Sequence, residues 1–177
     1  MRLKFIIFSF LVLFLSACSS IHYKTLYSLE DTNKIQKLKT QLLKIGADPS
    51  EAQELATLAV IKSKELANAY NLVSPPQYHN FLVNSGKRER GLCYHFVQDL
   101  DKEIRLRHFK TLHFKWGVAN QNRLNEHNVI VVLGKNTKWE DGIILDAWRK
   151  SGKLFFTRVK DDKEYHFKEW KEGSDTL

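Results

Sequence analysis

Cysteine is nearly absent from this chain: its 177 residues hold two, Cys18 and Cys93. That excludes a disulfide framework, which needs several pairs in a small exported domain. No apolar run approaches the roughly 20 residues of a membrane-spanning helix; residues 5–15 form the obvious one, and Ser9 interrupts it. Proline is scarce too, and Pro49, Pro75 and Pro76 therefore read as punctuation between elements. No internal repeat, low-complexity tract or second domain is visible. The length suits one domain with a real core. The formal net charge of +8 comes without any RNA- or DNA-binding motif. It suits anionic headgroups or acidic cell-wall polymers better than nucleic acid. The densest basic knot, Lys87-Arg88-Glu89-Arg90, reads as a solvated loop.

The N-terminus carries a positive start at Arg2 and Lys4, the short apolar stretch, then the small residues Ser16 and Ala17 before Cys18. This is the layout of a signal peptide. Leu15-Ser16-Ala17-Cys18 resembles a lipobox. The resemblance implies cleavage before Cys18 and acylation of that cysteine, which anchors the mature chain to a membrane. Ser19, standing where an Asp would resemble an inner-membrane retention signal, points to the periplasmic face of the outer membrane. The expected division is a signal peptide at 1–17, a lipidated tether at 18–30 and one domain at 31–177. Without Arg2 and Lys4 the net charge of +8 falls by two. With Cys18 acylated, Cys93 is alone in an oxidising compartment, as a reactive thiol, an intermolecular bridge or a small buried hydrophobe.

Ile35, Leu38, Leu42 and Ile45 recur at helical spacing, with Gly46 as a stop. Asp48-Pro49-Ser50-Glu51 starts a second helix, with Asp48 as cap, Pro49 at the first turn and Glu51 as the capping-box acid. Its apolar stripe runs from Ala52 to Val73, ended by Ser74-Pro75-Pro76. Residues 75–91 read as a long loop, of the kind often functional in a compact domain. Cys93, Phe96, Val97, Leu100 and Ile104 write a third helix. The period then changes to two. Strands are expected at 112–118, 129–133, 143–148, 154–159 and 164–170. Helices first and strands afterwards give an α+β domain with a mostly antiparallel sheet.

Cys93 falls in the first turn of its helix, where the dipole and free amides favour a thiolate and can hold an oxyanion. A nucleophile needs a base, and the base an orienting group. If the hairpin between the second and third strands folds around residues 136 and 137, His127 and Asp146 face each other, with Cβ atoms about 5 Å apart. Asp146 is flanked by apolar residues, so a partner is needed to offset its burial.

Gly91-Leu92-Cys93 at a helix start, Glu126-His127-Asn128-Val129, and Trp139 leading to Asp146-Ala147-Trp148 resemble the core of the transglutaminase-like cysteine peptidases, within the papain-like group. The resemblance covers about residues 91–148. It implies a helix bearing the cysteine packed on an antiparallel sheet, with Cys93 as nucleophile, His127 as general base and acid, and Asp146 as orienting residue. Asn128 stands where many members carry an aromatic or small apolar residue, and no aromatic precedes Cys93. Tyr78, Asn80, Asn84 and Trp116 remain open as the side-chain oxyanion donor, and Trp116 and Trp148 as walls of a substrate cleft. His95 lies on another helical face and reads as structural or as a rim residue. His108 and His113 lack a second ligand pair, so no metal is expected, and no cofactor is implied.

The expected function is an envelope lipoprotein that hydrolyses or exchanges amide bonds through a thioester. Its partners would be the membrane, through Cys18, and a peptide or peptidoglycan-type substrate. The alternatives are a non-catalytic binding or assembly module on the same fold, and a relative of the cell-wall endopeptidases that use one Cys and two His. Asp146 weighs against the last.

Overall fold

The computed structural model describes residues 19–171; the leader and the lipidation candidate Cys18 lie outside them. The chain forms β1 (Ser19–Ser20), α1 (Leu29–Lys44), α2 (Pro49–Ala69), β2 (Val73–Ser74), α3 (Pro76–Asn84) and α4 (Cys93–Arg105). The strands β3 (Leu112–Ala119), β4 (His127–Gly134), β5 (Ile143–Asp146), β6 (Phe155–Arg158) and β7 (Lys168–Glu169) follow. The fold is α+β, and the strand order β6-β5-β4-β3-β7 is antiparallel throughout.

Side-chain alternation gives the sheet two covered faces. Ile130, Val132, Ile143 and Leu145 pack with Leu38, Leu55, Phe96, Leu100 and Ile104 of the helices. Val129, Val131 and Ile144 point the other way, onto Val159 and Phe167, with Trp139 and Tyr165 beside them. The α4 stripe read from sequence is buried as expected, each large apolar side chain being worth about 1.5–3 kcal/mol. The fifth strand contracts to Lys168–Glu169 and pairs with β3 at Gly117 and Val118. Tyr165 and Phe167, ahead of it, pack against the second face rather than extending a ladder.

Four local expectations change. The second helix stops at Ala69, where Tyr70 caps it and Asn71 takes a φ of 49°, so Val73 belongs to β2 and not to the helical stripe. Asp48 caps α2 as expected, accepting from Ser50 N and Glu51 N, but Glu51 does not complete a capping box. Its carboxylate takes the free backbone donors of Lys110 (2.6 Å) and Thr111 (2.9 Å) ahead of β3. The first half of the expected loop at 75–91 is helix α3. Pro75-Pro76, read as a terminator, also places a proline where a helix tolerates one, in its first turn. Residues 21–28 are irregular, as expected of a tether, yet they are fastened. Ile21 N donates to Leu72 O (2.7 Å), Tyr23 exchanges two hydrogen bonds with the Asn68 side chain, and Tyr23 Oη donates to Ser151 O (2.7 Å). Ser28 caps α1 through Asp31, which is buried against Lys64 of α2. Among the described residues no helix is long and apolar enough to cross a membrane.

Candidate active site

Cys93 is the first residue of α4. The loop that presents it is held by two buried histidines. His79 of α3 accepts from Val73 N at Nδ1 (3.1 Å), which leaves its Nε2–H to donate to Arg90 O (2.9 Å). His95 Nδ1 accepts from Gly91 N (3.1 Å) and Leu92 N (3.2 Å), so it caps the helix that carries the thiol. Of the two readings, structural or rim, its burial and these bonds support the structural one. The amides of Cys93 and Tyr94 lie in the first turn, where no intrahelical acceptor exists. Gly91 sits at φ 124°, and a Cβ there would stand 2.2 Å from His79 Nε2. Gly91→Ala is therefore expected to cost about 3 kcal/mol or more, from backbone strain and displacement of the histidine. Urea unfolding checks the loss, and thiol labelling checks whether the loop has moved.

The Cys93 sulfur lies level with the start of β4. Two polar groups that flank His127 in sequence contact this sulfur: Glu126 O at 3.9 Å, accepting from the thiol, and Asn128 Nδ2 at 3.7 Å, donating to the sulfur. The amide is oriented by Trp116, whose indole N–H donates to Asn128 Oδ1 (2.6 Å). Because indole is only a donor, the amide nitrogen must face the sulfur. The other Nδ2 hydrogen goes to Glu126 Oε1 (3.0 Å). Asn128, visible in the sequence only as a departure from the family pattern, is thus a side-chain donor to the Cys93 sulfur.

His127 and Asp146 meet, though not by the expected register. The β4–β5 ladder pairs Ile130 with Leu145, Val131 with Ile144 and Val132 with Ile143. Continuing it puts Asp146 opposite Val129, so His127 is its diagonal neighbour on the same face. His127 Nε2 and Asp146 Oδ2 are 2.6 Å apart, both buried. Asp146 Oδ1 accepts from Trp148 N (3.0 Å) and Arg149 N (2.9 Å), and Oδ2 also accepts from Arg149 Nε (2.9 Å). Arg149 in turn forks onto Asp162 (3.1 and 2.7 Å), with its guanidinium over the rings of Phe155 and Tyr165. His127 is packed by Trp148, Tyr165 and Phe167 at centroid distances of 5.0, 4.5 and 5.7 Å. Sequence reasoning missed Arg149, Asp162 and Tyr165. Arg149, three residues beyond Asp146, was the one local signal.

With Nε2 committed to Asp146, Nδ1 is the free ring nitrogen, buried and without a hydrogen-bond partner. Burial alone would push the imidazole down. The Asp146 carboxylate, and after it the Cys93 thiol, instead hold it up at about 9, so at neutral pH it carries a proton. Burial pushes the Asp146 carboxyl up, but His127 and Arg149 keep it below the ordinary carboxylate range. These shifts set a pH signature. Below about pH 6.5 the imidazole is protonated whether folded or unfolded, and its stabilisation is complete. As pH rises through about 9 the folded imidazole loses its proton, and the contribution, about 3 kcal/mol, goes with it. His79 and His95, pushed down by burial (His95 also by Arg90), act oppositely, and their contribution is lost as pH falls below the ordinary histidine range. Thermal melts from pH 5 to 10 are expected to peak near neutrality. His127→Gln should flatten the alkaline limb alone.

The other candidates separate. Trp116 is spent on Asn128, and Asn80 Oδ1 accepts from Trp148 Nε1 (3.1 Å). Tyr78 is exposed on α3 and stacked on Phe81, and Asn84 is exposed at the helix end. Trp148 is buried over His127 rather than walling an open cleft. His108 and His113 are exposed. No group of three or more metal-ligating side chains occurs among the described residues. The site is closed. Cys93 is 7% exposed, and the space between it, Asn128 and Trp148 has no room for a water. An open cleft of about 690 Å³ lies between the end of α1 and the β4–β5 connection and contains none of these residues. Comparison of the chain with family models, with curated proteins and with solved structures returned no match.

Proposed function

We propose that this chain is a lipid-anchored thiol enzyme of the cell envelope, on a papain-like domain, that cleaves or exchanges amide bonds through a thioester on Cys93. One observation carries the reading: a free, buried Nδ1 on an imidazole whose other nitrogen is fixed by a buried carboxylate, beside a cysteine at a helix N-terminus. This is the arrangement that nucleophile, base and orienting group require. The proton of the Cys93 thiol rests on His127 Nδ1, and the sulfur attacks the amide carbonyl as the thiolate, forming a C–S bond. The oxyanion is met by the first-turn amides and by Asn128 Nδ2. The C–N bond breaks as His127 Nδ1–H protonates the leaving amine. Water, or a second amine, then gives its proton to His127 and displaces the sulfur. Asp146 keeps the ring oriented and stabilises the imidazolium. The leader layout and Cys18 support export, acylation and residence on the periplasmic face of the outer membrane. Envelope peptides, including peptidoglycan stems, are the substrates within reach.

The closed site supports a second reading, a binding or assembly module in which Cys93 is inert. The two part on one experiment. The acylated full chain is incubated with peptidoglycan stem peptides, and its mass is followed. The enzyme reading expects a thioester adduct on Cys93, its decay with cleaved or exchanged amide, and neither event in Cys93→Ala. Unchanged peptides and an unmodified chain would favour the module.

A further inference from the structure

If Cys18 is lipidated, a long irregular leash would let the domain swing freely. The structure leaves almost no leash. Ser19 and Ser20 pair with Ser74 and Val73, and the bonds of Ile21 and Tyr23 fasten the next residues. One Cα–Cα step, about 3.8 Å, separates Cys18 from Ser19. The surface around β1 and β2 therefore lies within the headgroup layer of the bilayer that holds the lipid, a layer about 5–7 Å deep on each side.

Ser74 runs through Pro75 directly into α3. That helix turns outward its least water-compatible side chains: Phe81 is 61% exposed and Tyr78 38%, with the rings stacked at 6.2 Å. Gln77, Tyr78 and Phe81 share a face at i, i+1 and i+4. Phe81 is five residues into the helix, about 7.5 Å along its axis. A single exposed aromatic means little. A stacked pair on the helix that runs on from the strand paired with Ser19 has a natural occupant, because aromatic rings settle at the headgroup level. Lys87 and Arg88 follow within a turn of the helix end. Among the described residues no acidic side chain pairs with either, whereas Arg90 is committed to Asp99. Glu89 offsets part of this charge, and the remaining cations match an anionic leaflet.

We propose that α3 is a membrane-docking helix: Tyr78 and Phe81 sit at the headgroup level of the bilayer that anchors Cys18, with Lys87 and Arg88 on anionic lipid. The proposal rests on the lipidation reading but not on the thiol chemistry. Docking fixes the domain's orientation. The inward face of α3 holds the site, with His79 on Arg90 O and Asn80 on Trp148. The Cys93 loop is thereby held at the bilayer surface, where membrane-attached acyl donors lie.

The test uses the full lipidated chain, Cys93→Ala, in vesicles of phosphatidylethanolamine and phosphatidylglycerol. A nitroxide label is placed at Gln77→Cys or, as a distant control, at Lys135→Cys. Docking expects accessibility to a water-soluble nickel chelate about threefold or more lower at 77 than at 135. That protection should disappear when Tyr78 and Phe81 are both replaced by serine, exposed changes that leave the melting temperature in place. Equal accessibility at both sites in vesicle-bound protein overturns the proposal. So does protection at 77 that comes with label–label broadening and dilutes away, which would indicate a second copy on this face. If the N-terminal peptide carries no lipid mass, the lipidation reading fails and docking fails with it. A lipidated chain without protection sinks docking alone.

Discussion

Asp146→Ala is expected to destabilise the fold by about 3–5 kcal/mol, the cost of breaking a buried ion pair from one side. Asp146 is fully buried and receives four donors: His127 Nε2, Arg149 Nε and the amides of Trp148 and Arg149. Its removal orphans a buried imidazole and leaves Arg149 with only its outer partners, Asp162 and Glu164. Urea unfolding at pH 7 reads the loss, and a change under about 1 kcal/mol would mean that the pair is not a structural keystone. Asp146→Asn separates stability from chemistry. Its oxygen can keep the two backbone amides on the Oδ1 side. Its amide nitrogen then faces two donors, so the imidazole must turn its proton to Nδ1 and can no longer accept from the thiol. The expected result is a folded, less stable protein whose Cys93 reacts slowly.

His127→Ala is expected to reduce the rate of Cys93 alkylation by iodoacetamide at pH 6 by about tenfold or more, a floor set below the roughly hundredfold or greater contribution of a positioned acid–base partner. A helix N-terminus alone favours negative charge by about 0.3–1 kcal/mol when exposed, too little for a tenfold effect. The imidazole is the larger influence, and its removal is diagnostic. The closed site slows the reagent in both proteins, so the ratio is the measurement. Asn128→Ala, removing the amide that faces the sulfur, should fall between the two while His127 keeps its elevated titration. A ratio near one for His127→Ala would mean that Cys93 and His127 do not act as a pair.

How much of this was legible beforehand follows from which signals are periodic. The helix carrying Cys93 declared itself through Phe96, Val97, Leu100 and Ile104, and β3 to β5 through alternation and apolar runs. The His127–Asp146 contact was legible despite a wrong register. Only the face matters, and a slip of two residues keeps the face, where a slip of one would have lost the pair. The short helical turn Trp139–Asp141 in the β4–β5 connection moved the hairpin centre, and no spacing rule shows such a turn. Helix α3 was hidden because Pro75-Pro76 reads equally as a stop and as a start. The Arg149–Asp162 clamp was hidden because Asp162 comes from the C-terminal segment, whose packing over the second sheet face has no regular period. Asn128 was visible as an oddity, but its role follows only from where Trp116 pins its oxygen.

The proposed chemistry depends on the protonation of one ring, and imidazole NMR of His127 in the folded protein measures it directly. A protonated imidazole at pH 7 is expected, titrating near pH 9 and moving down towards the ordinary histidine value in Asp146→Asn. A ring that is neutral at pH 7, with the same titration in both proteins, would contradict the account.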